Sequence, residues 1–191
     1  MADTIYCYPA SDVLINKLGI REQEKLHDFE RRLTMLRLLE LIDKPLKGRF
    51  DFEHLQSIHQ YIFQDIYDWA GEVRKVDIAK GNMFCKVMYI QTQAEEIFSN
   101  LKKDNYLEDL TKDVFIKKLA YYFSEINALH PFREGNGRSQ REFVRSLALW
   151  NGYIINFDNI SEDEMLQASQ ASFLCNYEKM EELFKRCIKC K

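Results

Sequence analysis

Apolar residues recur at three- and four-residue spacing through most of this chain, the period of a helix with one face turned inward. From residue 20 to 43, Leu26, Phe29, Leu33, Leu36 and Leu39 stand among charges and the segment ends before Pro45, which predicts an amphipathic helix with those five residues inward. A second helix is predicted from about Asp51 to Trp69 and a third over 90–105. A fourth, from Lys112 to Leu129, carries Phe115, Leu119, Tyr122, Phe123, Ile126 and Leu129 on one side. Pro131 disfavours helical geometry at His130, so the fourth helix ends there and a fifth runs from near Gly137 to about Trp150. Two more, from about Glu162 and about Tyr177, close the chain.

One stretch breaks the helical period. Val73, Lys75, Asp77 and Arg74, Val76, Ile78 form two interleaved sets, and Lys80-Gly81-Asn82 gives a turn signal before Phe84, Lys86 and Met88. This predicts an isolated hairpin that lies against the helices, because two strands alone are marginal in water, and that leaves an edge exposed. It is either a surface excursion or an edge that pairs with an extended segment of another protein.

Glycine (7) and proline (3) are so sparse that little interrupts a helix, and no repeat, low-complexity tract or linker divides the chain, so residues 1–191 read as one all-α domain. With 46% apolar and 13% aromatic residues, it has the material for a core and is no disordered tail. Lys plus Arg (27) nearly balance Asp plus Glu (30), so the net charge of −3 provides no long-range field to draw it to nucleic acid or anionic lipid. The start, MADTIYCYPASD, lacks the basic segment and apolar stretch of a secretory signal, and no run of about 18 apolar residues occurs, which predicts a soluble, cytoplasmic protein. Five cysteines without framework spacing suit reduced thiols. Cys187 and Cys190 read as helix cysteines rather than half of a zinc site, since no second pair or nearby His completes four ligands.

Candidate chemistry concentrates in His130-Pro-Phe-Arg-Glu-Gly-Asn-Gly-Arg-Ser-Gln-Arg141, which holds two of the seven glycines between helix-forming flanks. It reads as a helix end, a loop and a helix start whose unpaired N–H groups and positive dipole end favour an anion such as phosphate. Gly135 and Gly137 permit positive φ and close approach of a ligand. Arg138 and Arg141, three apart, share a helix face and can grip neighbouring phosphates. Glu134 offers the hard oxygen that Mg²⁺ accepts when phosphates and water fill its other positions. His130 is the side chain there suited to remove a proton near neutral pH. Singly, each has an ordinary explanation as a cap, a surface ion pair or a turn; their fixed spacing is what argues for a site.

The segment resembles the Fic-family signature His-Pro-Phe-x-Asp/Glu-Gly-Asn-Gly-Arg-x-x-Arg at every defined position. YIFQDIYDWAGEVRKVDIAKGNMF is similar to the family's approach to its flap, and YPASDVLINKLGI resembles the start of short bacterial Fic toxins. The resemblance implies a Fic-type helical bundle with a small β-hairpin flap, its core over about 51–152 and the flap over about 72–90. It also implies a protein adenylyltransferase that moves AMP from ATP to a Tyr, Ser or Thr hydroxyl of a target protein. Carried across, His130 is the base, Glu134 holds Mg²⁺ between the α- and β-phosphates, and Gly135, Asn136 and Gly137 cradle the α-phosphate. Arg138 meets the β-phosphate, Arg141 the γ-phosphate, and Phe132 anchors the loop. Flap residues Ile78, Lys80, Gly81, Asn82, Met83 and Phe84 align the target segment.

Members of the superfamily that act as kinases carry Lys where this chain has Gly137, which favours AMP transfer here. The family's inhibitory pattern Ser/Thr-x-x-x-Glu-Gly/Asn is incomplete, since Thr92 to Glu96 is followed by Ile97. A separate small antitoxin whose glutamate reaches Arg141 is therefore expected, and the resemblance to short Fic toxins implies a bacterial type II topoisomerase as target. An idle binding module that keeps the fold, or a Fic enzyme using another phosphate-containing donor, remain the alternatives.

Overall fold

A computed structural model describes residues 5–191. Seven α-helices are formed among them: α1 (Gln23–Asp43), α2 (Phe52–Phe63), α3 (Ile90–Lys103), α4 (Lys112–Leu129), α5 (Asn136–Trp150), α6 (Glu162–Ser172) and α7 (Glu178–Cys187). Two small antiparallel sheets complete the fold, β1 (Ala79–Lys80) with β2 (Asn82–Met83), and β3 (Tyr153–Ile155) with β4 (Ile188–Cys190). No helix among the described residues is long and apolar enough to cross a membrane.

Local chemistry explains the boundaries. Asp51 caps α2 by accepting the His54 N–H at 2.9 Å, and Ser161 and Glu164 form a reciprocal capping box at the start of α6. The second helix stops at Phe63, short of Trp69, because the chain turns there and the N–H groups of Ile66 and Tyr67 both bond back to the Phe63 carbonyl. All six apolar residues assigned to the inner side of α4 are buried, and α5 packs between α2 and α4 with Phe143, Val144 and Leu147 fully enclosed. α6 and α7 pack on each other and on α4.

Three expectations are corrected. The inward face of α1 carries Leu26, Glu30, Thr34 and Leu41, while Phe29, Leu36 and Leu39 are exposed. The helix is seated by charge as well as by apolar packing. Arg37 holds Asp65 through Nε at 2.7 Å and Nη2 at 3.0 Å, Arg145 donates to the Leu41 carbonyl at 2.8 Å, and Arg138 reaches Glu30. The hairpin is much shorter than the alternation suggested: its register pairs Ala79 with Met83 and Lys80 with Asn82, around Gly81 at φ +77°. Residues 73–78 lie outside any strand, and residues 87–89 form a 3₁₀ turn. Cys190 lies in β4, not in a helix, because the chain after Cys187 extends to pair with β3.

The seating of α1 generates a direct comparison. Leu41→Ala, at a fully buried position, is expected to cost ~2–5 kcal/mol, whereas Leu36→Ala on the exposed face should stay within about 0.5 kcal/mol. Denaturant unfolding of the two variants checks this; equal losses would restore the apolar stripe to the core.

Candidate active site

The site starts where α4 ends. His130 adopts the left-handed conformation (φ 46°, ψ 60°) and its N–H still reaches the Ile126 carbonyl, so the chain turns sharply while the imidazole stays at the helix end. Its Nδ1 lies 3.3 Å from the Asn127 carbonyl. A carbonyl only accepts, so Nδ1 carries the proton and Nε2 keeps its lone pair. Phe84 stacks on the ring, with centroids 3.6 Å apart and planes 11° from parallel. Burial pushes the imidazole down to about 4, the positive Lys80 and Arg74 adding to the effect and the Asn127 carbonyl opposing it. At neutral pH it is uncharged and able to accept a proton.

The loop after it is framed from outside. Arg74, fully buried, donates from Nε to the His130 carbonyl at 2.8 Å, from Nη1 to Val76 and from Nη2 to Cys85, while its backbone N–H takes the Pro131 carbonyl at 2.8 Å. His59 lies across Phe132, with centroids 3.8 Å apart. Its Nδ1 accepts from the Gly71 N–H at 2.8 Å, so Nε2 carries hydrogen and donates to the Glu134 carbonyl at 3.0 Å. Burial lowers the His59 pKa to about 3, which keeps this bridge neutral. Neither Arg74 nor His59 was singled out for the site from the sequence.

At the start of α5 the residues take roles that differ in part from the sequence reading. Gly135 is left-handed (φ +79°), and a Cβ there would lie 2.1 Å from Phe63 Cζ; the glycine is required by φ and by that ring. Gly137 has no positive φ, and a Cβ on it would lie 3.3 Å from Arg141 Nη1, so its bareness leaves room for that guanidinium. The Asn136 amide is spent on the loop, accepting from Phe132 N at 2.9 Å and donating to the Phe132 carbonyl at 2.8 Å. That leaves the backbone N–H groups of Asn136, Gly137 and Arg138, which precede the first intrahelical bond from Ser139 to Gly135, as donors for an anion.

Glu134 Oε1 accepts from Gly135 N at 2.8 Å and lies 3.6 Å from Arg138 Nη2; Oε2 has no hydrogen-bond partner among the described residues. Burial would raise its pKa, but the Gly135 N–H and the charges of Lys80, Arg138 and Arg133 outweigh it and hold the carboxyl below its usual range. Arg138 turns to α1, where it donates to Glu30 Oε1 at 2.5 Å and Thr34 Oγ1 at 3.2 Å, above the Phe63 ring at 4.6 Å. Tyr67 donates its hydroxyl to the other oxygen of Glu30.

A cavity of about 470 Å³ opens beside the loop, and its walls include Lys80, Asn82, Phe84, Asn127, His130 and Arg141 together with α6 side chains such as Met165 and Gln170. Glu134 to Arg138 do not line it. Arg141 has no hydrogen bond or ion pair among the described residues, and burial, with the charge of Arg138, lowers its pKa against the weaker pull of Glu162. Of the remaining flap residues, Gly81 and Met83 are exposed and the Ile78 carbonyl accepts from Phe84 N at 3.2 Å. Glu30, Tyr67, His59, Arg74 and the α6 wall went unassigned in the sequence; Glu30 and Thr34 do share a row with Leu26 and Leu41 at helical spacing, but only the partner across the fold gives that row its meaning.

A family model described as the Fic/DOC family matches residues 49–148. The protein adenylyltransferase VbhT of Bartonella schoenbuchensis is 40% identical over 182 residues, 95% of this chain and 38% of that protein, so this chain spans well under half of that relative. A probable protein adenylyltransferase Fic of Escherichia coli is 36% identical over 185 residues, 96% of this chain and 91% of that protein. Among solved structures, BepC of Bartonella tribocorum with bound AMPPNP superimposes with a TM-score of 0.92 at 25% identity, over 97% of both chains. The N-terminal Fic domain of a VirB-translocated Bep effector from Bartonella quintana, with bound ADP, gives a TM-score of 0.91 at 30% identity, over 97% of this chain and 95% of that one. With the family model covering just over half of its residues and a relative of similar length aligned along nearly all of it, the chain belongs to the Fic/DOC family.

Proposed function

We propose that this chain is a protein adenylyltransferase that moves AMP from ATP to a hydroxyl side chain of a target protein. The observation that carries the reading is the pairing of a neutral His130, Nε2 free, with an Arg141 guanidinium that is half-buried in the wall of the same cavity and has no carboxylate partner among the described residues. A partly desolvated cation left without a protein partner favours an anion beside it. The relatives named protein adenylyltransferase and the neighbours holding AMPPNP and ADP support a nucleotide as that anion.

The target oxygen attacks the α-phosphorus, its proton passes to His130 Nε2, and the bond from the α-phosphorus to the bridging oxygen breaks to release pyrophosphate. Backbone N–H groups at the start of α5 and the Arg141 guanidinium stabilise charge as it moves onto the leaving group. Arg138, with N–H groups beyond those given to Glu30 and Thr34, is assigned to the β-phosphate. Glu134 fits Mg²⁺, being an ionised hard carboxylate with Oε2 open, and the ion would neutralise phosphate charge when bound. The exposed hairpin, Lys80 to Met83, would align the target by main-chain pairing. Phe84 packs on His130 instead and sets the ring plane.

Restraint by a separate small antitoxin, its glutamate meeting Arg141, extends this reading. The nearest internal match to an inhibitory pattern, Thr92 to Glu96, lies within α3 with Glu96 exposed. Co-expression with a neighbouring small reading frame should copurify such a partner; an isolated chain already fully restrained would contradict it.

ATP labelled on the α- or the γ-phosphate, with cell lysate or a purified type II topoisomerase as target, tests the activity. Protein should be labelled from the α position alone, and His130→Ala should lower labelling at least about 100-fold with the fold intact. Labelling from γ, or full activity of the variant, would refute the assignment. Because His130 titrates near 4, kcat/KM should stay level from pH 8 to about 5.5. A base with an ordinary imidazole pKa would lose most of its activity over that interval as pH falls, and such a loss would show the ring to be solvated.

A further inference from the structure

The buried acid of α1 has no part in the steps above, yet it decides where a neighbouring cation sits. Glu30 is 8% exposed and lies at the centre of the inward face of its helix. One carboxylate oxygen accepts from Tyr67, and the other receives Arg138 Nη2 at 2.5 Å. The same nitrogen lies 3.6 Å from Glu134 Oε1, beyond hydrogen-bond length. Thr34 and the Phe63 ring hold the guanidinium from two further sides. One cation is thus shared unequally between two carboxylates, and the nearer belongs to α1.

We propose that Glu30 is a positioning residue for the nucleotide site: by holding Arg138 on α1 it keeps that guanidinium from closing on Glu134, and so leaves the Glu134 carboxylate open to a divalent cation. The inference rests on the reading of Glu134 as the cation ligand. If Glu30 loses its charge, Arg138, half-buried, keeps a single carboxylate within reach, and a partly desolvated guanidinium deprived of its nearer partner is drawn to the other. A fork-on-carboxylate pair would then occupy the oxygens a hard cation needs. Phosphate, being an anion, should be little affected or held more firmly, since the neighbourhood has gained one unit of positive charge. A role confined to seating α1 predicts otherwise: nucleotide binding would weaken equally with and without metal.

The test is fluorescence anisotropy of N-methylanthraniloyl-ATP on the full chain, titrated with Mg²⁺. Glu30→Gln should need about tenfold more Mg²⁺ for half-maximal effect, the scale of losing a group that orients a metal ligand, while binding without Mg²⁺ is unchanged or tighter. Glu30→Asp, which keeps the charge, should stay close to the parent. Thr34→Val removes only the weaker hold on Arg138, the 3.2 Å bond to its Nη1, so it serves if Glu30→Gln does not fold; its Mg²⁺ requirement should rise in the same direction by a smaller factor. A Glu30→Gln variant that follows the parent's Mg²⁺ dependence, a parallel loss at all Mg²⁺ concentrations, or, where Glu30→Gln does not fold, a Thr34→Val variant with the parent's requirement overturns the proposal. A parent chain that binds no nucleotide at any Mg²⁺ concentration overturns the proposed function and this inference with it, whereas a binding parent tracked by Glu30→Gln overturns this inference alone.

Discussion

The site depends on where the carbonyls of its loop point. Those of His130, Pro131, Phe132 and Glu134 are each taken by a protein donor: Arg74 Nε, Arg74 N, the Asn136 amide and His59 Nε2. A carbonyl oxygen carries partial negative charge, and a loop free to turn one toward a phosphate would repel it. With four of them held, the backbone cannot flip without breaking bonds in a place where unmade hydrogen bonds are expensive. The first-turn amides of α5 remain as the polar groups without an intrahelical partner. Preorganisation here is a matter of acceptors restrained, as much as of donors presented.

That constraint also explains why so much charge is buried in a helical protein. Arg74, Glu30 and Glu142 are enclosed, Arg138 and Arg145 are half-buried, and each is matched by carbonyls, a hydroxyl or an opposite charge. An apolar substitute could pack, but it could not tie one segment to another at a single register. Arg74 joins the base of the hairpin to the end of α4, and Arg145 joins α5 to the last turn of α1. Arg141 stands apart because no partner of this kind meets it among the described residues, in contrast with Arg138, three positions earlier, and the proposed nucleotide role of Arg141 rests on that contrast.

Much of the fold was legible because helical period and helix punctuation are local signals. The limits of α4 could be read from Lys112 to Leu129, and those of α5 fell within one residue, because Pro131 and the glycines act on their immediate neighbours. The face of α1 was not legible: Phe29, Leu36 and Leu39 make a stripe by pattern, but the inward direction was set by Arg138 pulling on Glu30 from 108 residues away. The hairpin failed in the opposite sense, since the alternation of residues 73–78 reflects Arg74 burying itself under the loop and not a paired strand. The loop motif told which residue types gather at the candidate site but not what each does in the fold; nothing in Gly-Asn-Gly shows that Asn136 closes the loop or that Gly135 makes room for Phe63.

The hairpin and the imidazole are one mechanical unit. Phe84, the residue after β2, stacks on His130, and the next residue donates its N–H to the Ala128 carbonyl at the end of α4 while its own carbonyl takes Arg74. The same residue, with Phe173, lines both the cavity holding His130 and a second one, of about 390 Å³, bounded by Met83, Tyr89 and Ile97. A segment pairing with the exposed edge at Lys80 to Met83 would therefore press on a ring already in contact with the imidazole. Displacing Phe84 would hydrate His130 and relieve the burial that lowers its pKa, so under the proposed function a bound target would act on the base through its solvation as well as by bringing a hydroxyl near it.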